Sequence, residues 1–120
     1  MTHYNIKATR EGLISHLTSS GYTIDIHVPF VALPDVGALY RAVRITNQAN
    51  KKSCVALVLD VGPWNEHDCQ YVDGGARPGA ESGNDERGRI TNHAGIDLGE
   101  YVWRELEMKD NGLVTWSFLA

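Results

Sequence analysis

The chain has 120 residues, 42% of them apolar, which suits a single domain with one modest core. Its net charge is −4 and its basic residues are scattered, which argues against nucleic acid or an anionic membrane as partner, since both are bound by clustered Lys and Arg. No apolar run approaches the ~18 residues of a membrane span. Residues 1–7 lack the basic start and apolar stretch of a signal peptide, so the expected location is cytoplasmic, phage-encoded or reached by another export route.

Residues 1–20 are mixed and polar. Leu13, Ile14 and Leu17 sit at helix-like spacing, so this part reads as a lead-in, either a short helix or irregular. From 22 to 28 the chain alternates strictly, with Tyr22, Ile24, Ile26 and Val28 on one face and Thr23, Asp25 and His27 on the other. That pattern predicts a half-buried strand. Pro29 and Pro34 bracket Phe30-Val31-Ala32-Leu33, which reads as an apolar segment at a turn. Residues 39–47 alternate again and predict a second strand. Residues 53–61 are almost continuously apolar and end at Gly62-Pro63, which predicts a fully buried central strand.

The stretch 73–95 holds six of the 12 glycines and predicts a long polar surface loop, a type that is usually functional or mobile. Beyond it, Leu98, Val102 and Leu106 recur at four-residue spacing and Glu100 stands four before Arg104, so one short α-helix is expected near residues 98–107, with Asp97 just before its first turn. Asn111-Gly112 signals a turn into a last strand over 113–119. The sum is an all-β chain with one late helix, a barrel of one domain spanning 1–120. Cys54 and Cys69, with 14 residues between them, could form a disulfide or stand as reduced thiols.

Several segments together resemble a known group. Asp60-Val61-Gly62-Pro63-Trp64 is similar to the Asp-Arg-Gly-Pro-Phe segment of the rare lipoprotein A family. Ile96-Asp97-Leu98-Gly99 is similar to its Ile-Asp-Leu-Ser segment, and Phe30-Val31-Ala32-Leu33-Pro34 sits where such domains carry an apolar Leu-Pro turn. The resemblance covers roughly residues 20–119. It implies a six-stranded double-psi β-barrel, the architecture shared with membrane-bound lytic transglycosylase A, expansins and family 45 cellulases. Those relatives bind or cleave β-1,4-linked glycans. The implied partner is therefore peptidoglycan or another β-1,4-linked polysaccharide, with no cofactor. Val61 stands where the family has Arg, and Phe30 where it has His.

The chemistry centres on two aspartates. Asp60 closes an apolar strand, where desolvation would suit a general acid; alternatively it caps the Gly-Pro turn by accepting backbone N–H bonds. Asp97 could face a groove beside Asp60 as general acid, or serve as the N-cap of the following helix. A lytic transglycosylase can work with one protonated carboxyl, because the sugar's own hydroxyl attacks to form an anhydro product, whereas hydrolysis normally adds a second carboxylate. Trp64, placed after a turn, could stack on a sugar ring. His93 and Asn92 could orient substrate, and Tyr71 is a further candidate contact. Trp103 and Trp116 read as core. Glu66, His67, Asp68, Cys69, Cys54 and His93 match no metal-ligand spacing, so no metal is expected. The leading expectation is a peptidoglycan lytic transglycosylase-like enzyme; the alternatives are a non-catalytic glycan-binding module, or a phage tail component that uses only the fold.

Overall fold

A computed structural model describes residues 1–13 and 15–119. Six strands close into one barrel: β1 (Thr2–Arg10), β2 (Phe30–Leu33), β3 (Ala42–Asn47), β4 (Ser53–Val61), β5 (Ile96–Leu98) and β6 (Gly112–Phe118). Their order around the barrel is β1-β5-β2-β4-β3-β6, and β6 returns to β1. Two neighbouring pairs, β1–β5 and β2–β4, run parallel; the other four are antiparallel. The all-β class, the six strands and the short late helix are as expected. Helix α1 (Cys69–Val72) and helix α2 (Glu100–Glu105) are both brief.

The core fills the barrel with Ile6, Ala8, Val31, Leu33, Val43, Ile45, Val58, Ile96, Leu98, Val114 and Trp116. Alternate residues face out, as the pleat requires. The last turn of the chain before β6 adds Val102, Trp103 and Leu106 from α2 and its exit, so the helical spacing of Leu98, Val102 and Leu106 does mark buried positions. Leu98 itself, however, belongs to β5 rather than to the helix.

Four expectations are corrected. The lead-in is a nine-residue strand, β1. A register shift between His3 and Ile6, with Asn5 at φ 55°, breaks its period of two, and this hides the strand from a pattern reading. Of the trio at helical spacing, Ile14 lies outside the described residues, and Leu13 and Leu17 are exposed.

Second, residues 22–28 are not a barrel strand. Their alternation is real, with Ile24 buried and Thr23, Asp25 and His27 exposed, but the pairing is a single bridge between Thr23 and Leu17. A closed barrel has no edge to offer them. The segment folds over the sheet's outer face instead, where the Tyr22 ring meets Phe30 edge-on at 5.5 Å.

Third, Phe30–Leu33 is no turn but β2, buried on both faces. Its closest cover is Gly99: a Cβ there would lie 2.5 Å from the Phe30 ring, so only glycine fits. Fourth, β4 is central in the sheet but not fully buried, because Val55 and Leu57 point out of the barrel and are more than 40% exposed.

Candidate active site

One row of outward-facing residues crosses four adjacent strands. Thr9 of β1 pairs with Asp97 of β5, Asp97 pairs with Ala32 of β2, and Ala32 pairs with Asp60 of β4. Asp60 reaches this face through a bulge. Val31 is opposite Val58, but Ala32 is opposite Asp60, so Leu59 is the extra residue on β4. The bulge turns Val58 into the core and Asp60 to the outside. Ala32 is the spacer between the two aspartates. Two strand spacings, roughly 10 Å, separate their Cα atoms, and Ala32 between them is fully covered.

A third carboxyl joins them. Glu11 follows β1, on the same face as Thr9, and its backbone N–H donates to the Leu98 carbonyl. Its Oε2 is buried and receives no hydrogen bond from any N–H or hydroxyl. Its polar neighbours are Asp60 and Asp97. Two ionised carboxylates cannot bond each other, so Glu11 and Asp60 are joined only when one of them carries a proton.

The three groups are driven apart in proton affinity. Burial, then the bond to Asp60, then the negative charge of Asp60 and Asp97, push Glu11 up to about 10. Burial raises Asp97 to about 6, the Thr9 hydroxyl works against it, and the Asp60 charge adds to it. The Thr9 hydroxyl donates to Asp97 Oδ1. Burial also works to raise Asp60, but bonds from Glu11 and from the Ser19 and Val61 amides outweigh it and hold Asp60 below the usual carboxylate range. Both amides donate to Oδ1 at 2.9 Å. Among the described residues no salt bridge reaches this row: Arg10, beside Glu11, is turned to Glu100 of α2.

The Ser19 amide belongs to an arm, residues 12–29, that leaves β1 and returns to β2. Backbone bonds between Ser15 and Ile24 and between Ile24 and His16 fold it back on itself, and its tip, Thr18 to Gly21, stands at Asp60. The Tyr40 hydroxyl donates to the Ser20 carbonyl from the other side. Two surface cavities lie elsewhere. One of about 710 Å³ is formed by the β3–β4 turn and the α2–β6 turn, and one of about 240 Å³ lies beside the start of β1.

The sequence nominated Asp60 and Asp97, and the structure sets them on one row, one on each side of Ala32. Asp97 lies within β5 and is not the helix N-cap, which is Gly99. The turn-capping expectation for Asp60 is met in part by its bond from the Val61 amide. Trp64 and Asn92 form a pair of their own: the indole N–H donates to Asn92 Oδ1 at 2.9 Å, and the Arg89 guanidinium stands 5.8 Å from the indole ring. His93 is exposed at φ 71° and its Nδ1 is 2.9 Å from the Glu81 carbonyl. Tyr71 is corrected: it is fully buried, accepts from Trp116 Nε1 at 2.7 Å and donates to the Gly95 carbonyl at 2.9 Å, so it is a core residue. Cys54 and Cys69 are free thiols. Glu11 was missed. No local signal marks it, because its partners come from β4 and β5, far away in sequence.

Among the described residues, no three His, Cys, Asp or Glu side chains are disposed to hold a metal ion, and no helix is long and apolar enough to cross a membrane.

Comparison with known proteins gives a family and a fold. The family described as "Domain of unknown function (DUF8814)" matches residues 2–78, a stretch that includes Glu11 and Asp60. A solved structure titled "Streptomyces papain inhibitor (SPI)" superposes with a TM-score of 0.59 at 14% identity, covering 100% of this chain and 96% of that one. At that identity the likeness shows a shared fold and nothing more. No curated protein matches the sequence.

Proposed function

We propose, for a chain that belongs to the DUF8814 family, a glycan-cleaving role of the lytic transglycosylase type, with Asp97 as general acid and Asp60 as the second carboxylate. One observation carries it. Two aspartates flank a small residue on one outward row, and their environments push one up to about 6 while holding the other below the usual range. Such a split is what acid chemistry near neutral pH requires: one carboxyl keeps a proton to give, the other stays charged. In this reading the proton of Asp97 goes to the glycosidic oxygen as its bond to the sugar carbon breaks. A hydroxyl of the same sugar closes onto that carbon, giving an anhydro product, and its proton returns to a carboxylate. The charge of Asp60 stabilises the cationic sugar in between. The parallel pairs β1–β5 and β2–β4 support reading the barrel as double-psi, in keeping with the resemblance to glycan-active families.

The arm tip already stands on Asp60 through the Ser19 amide, and a glycan strand would have to displace it. That observation favours a second reading, a non-catalytic module that holds peptidoglycan or a related β-1,4-linked polysaccharide, since Asp60 Oδ1 is already engaged by two amides.

Purified sacculi separate the two readings. Wild-type protein is expected to release anhydro-muropeptides, detected by mass spectrometry, and Asp97→Asn to release none while its circular dichroism is unchanged. Because the acid must be protonated, release should fall as pH rises through about 6, roughly tenfold per unit above it. Sedimentation with sacculi without release by the wild type would establish the binding module instead. Neither sedimentation nor release would sink both. A papain titration run alongside is expected to leave the protease unaffected.

A further inference from the structure

We propose that Glu11 is a positioning residue: protonated, it donates its hydroxyl to Asp60 and fixes that carboxylate as the ionised partner of Asp97. The role in catalysis rests on the glycan-cleaving reading; the shared proton does not.

The argument is geometric. A carboxylate buried at a strand end needs donors, and Glu11 Oε2 has none from any N–H or hydroxyl. The titratable or charged groups that act on it are Asp60 from β4 and Asp97 from β5, both anions when ionised. The one cation beside it in sequence, Arg10, is committed to Glu100. From the arm, Ser19 turns its amide and its hydroxyl to Asp60, not to Glu11. Three negative charges cannot be held in that space without a counter-ion. The arrangement is satisfied once one proton is added to Glu11, because that proton gives Asp60 a further donor beside Ser19 and the Val61 amide. The displacement of Glu11 to about 10 and the lowering of Asp60 have this same cause.

The consequence for catalysis follows from charge. Ionised Asp60 is the one anion that raises Asp97, next to burial itself. Glu11 therefore acts on the chemistry through Asp60, the carboxylate it keeps ionised and in place, without touching substrate. Loss of the donor would let Asp60 take up a proton more readily, yet Asp60 would still be ionised where Asp97 titrates, so the effect falls on Asp60 and not on the acid.

Carboxyl-detected NMR on the full chain tests this. In wild type, the Glu11 carboxyl is expected to stay protonated through pH 8, while Asp60 titrates below the usual carboxylate range. Glu11→Gln retains an N–H donor and should leave the Asp60 and Asp97 midpoints in place. Glu11→Ala should raise the Asp60 midpoint by about one unit, a tenfold change in proton affinity. Should Glu11→Ala not fold, the wild-type and Gln titrations still decide. A Glu11 carboxyl that ionises in the usual range, or an Asp60 midpoint unmoved in Glu11→Ala, overturns the proposal. If the titrations come out as stated but wild type releases no anhydro-muropeptide, the shared proton stands and the glycan-cleaving reading fails. If release occurs, the rise of its pH profile on the acid side, where Asp60 ionises, should be kept by Glu11→Gln and shifted to higher pH by Glu11→Ala. A merely structural role for Glu11 would lower release without moving that limb.

Discussion

Two long segments without barrel strands lie on this molecule, and they are held in opposite ways. The stretch 73–95 is stitched down at many points. Arg77 donates to the carbonyls of Tyr4 and Asn5 and pairs with Glu81, Asp85 accepts from Arg89 and from the Arg87 amide, and Thr91 donates to the Ala80 carbonyl. Pro78, Ala80, Asp85, Thr91, Ala94 and Gly95 are buried along it. The arm 12–29 has only Thr18 and Ile24 buried among its described residues. Its ties to the barrel include the Ser19 amide on Asp60, the Tyr40–Ser20 bond and the Tyr22–Phe30 contact. By composition the roles looked reversed, since the Gly-rich stretch reads as loose and the alternating one as a strand. Local stability follows burial and side-chain anchoring, not glycine content, so the arm is the segment that can leave the surface, and it is the one lying on the carboxyl row.

The sharpest way to break the contrast is at the root of the anchored stretch. Tyr71 joins Trp116 to the Gly95 carbonyl inside the core. Tyr71→Phe keeps the ring but leaves a buried indole N–H and a buried carbonyl unpaired. It should cost about 2–3 kcal/mol in urea denaturation, with the arm's hydrogen exchange unchanged. A cost below 0.5 kcal/mol would mean that Gly95 is held by other means.

A middle-sized effect comes from pH, which should act oppositely on the two segments. Glu11, at the arm's root, is raised from 4.5 to about 10 in the folded chain. The unfolded chain ionises first, so this group weakens folding progressively as pH rises from about 4.5. Asp85, in the anchored stretch, is lowered by its bonds to Arg89 and Arg87, although burial works against them. Its contribution is present above its unfolded value of 3.8 and is lost as pH falls below it. Glu11→Gln, neutral at every pH, should therefore match wild type at pH 4 and exceed it at pH 8. The gain, discounted for solvent, is on the order of 1–3 kcal/mol, read from melting curves. Parallel pH curves for the two proteins would end the idea that a proton sits at the arm's root.

What could be read in the sequence, and what could not, follows from where the information lies. Strands β3, β4 and β6 and helix α2 announce themselves because period and turn residues are local. β1 was hidden by its own bulge at Asn5, and β2 by its brevity between two prolines. Asp60 and Asp97 stood out by their places beside Gly-Pro and before a helix. Their relation did not, because it depends on Ala32 pairing with both and on one extra residue, Leu59, in β4. Glu11 has no local mark at all. A polar residue in a polar stretch becomes remarkable only once β4 and β5 are seen to bring two more carboxyls to it, and Tyr71 could be called core only once its hydroxyl is seen bridging Trp116 and Gly95.

The smallest predicted effect is the most direct test of which segment moves. Tyr22 stands edge-on to Phe30, and its hydroxyl bonds to the Asp25 carbonyl and amide, so it is both the arm's contact with β2 and part of the arm's own fold. An edge-to-face aromatic pair contributes about 0.5–1.5 kcal/mol beyond the area it covers, and Phe30 keeps Gly99 against its other side. Tyr22→Ala should therefore lower global stability by only about 1 kcal/mol while speeding amide exchange at Thr18, Gly21 and Ile24, whose N–H groups bond within the arm. Exchange at Gly83, Asp85 and Thr91, bonded within the anchored stretch, should stay at the wild-type rate. If both sets of amides speed up together, the arm opens only with the whole barrel, and access to the carboxyl row through its displacement is ruled out. If the arm's amides alone speed up, the proposed glycan-cleaving role predicts that release of anhydro-muropeptides by the same variant rises rather than falls, because the tip that occupies Asp60 would be lifted more often.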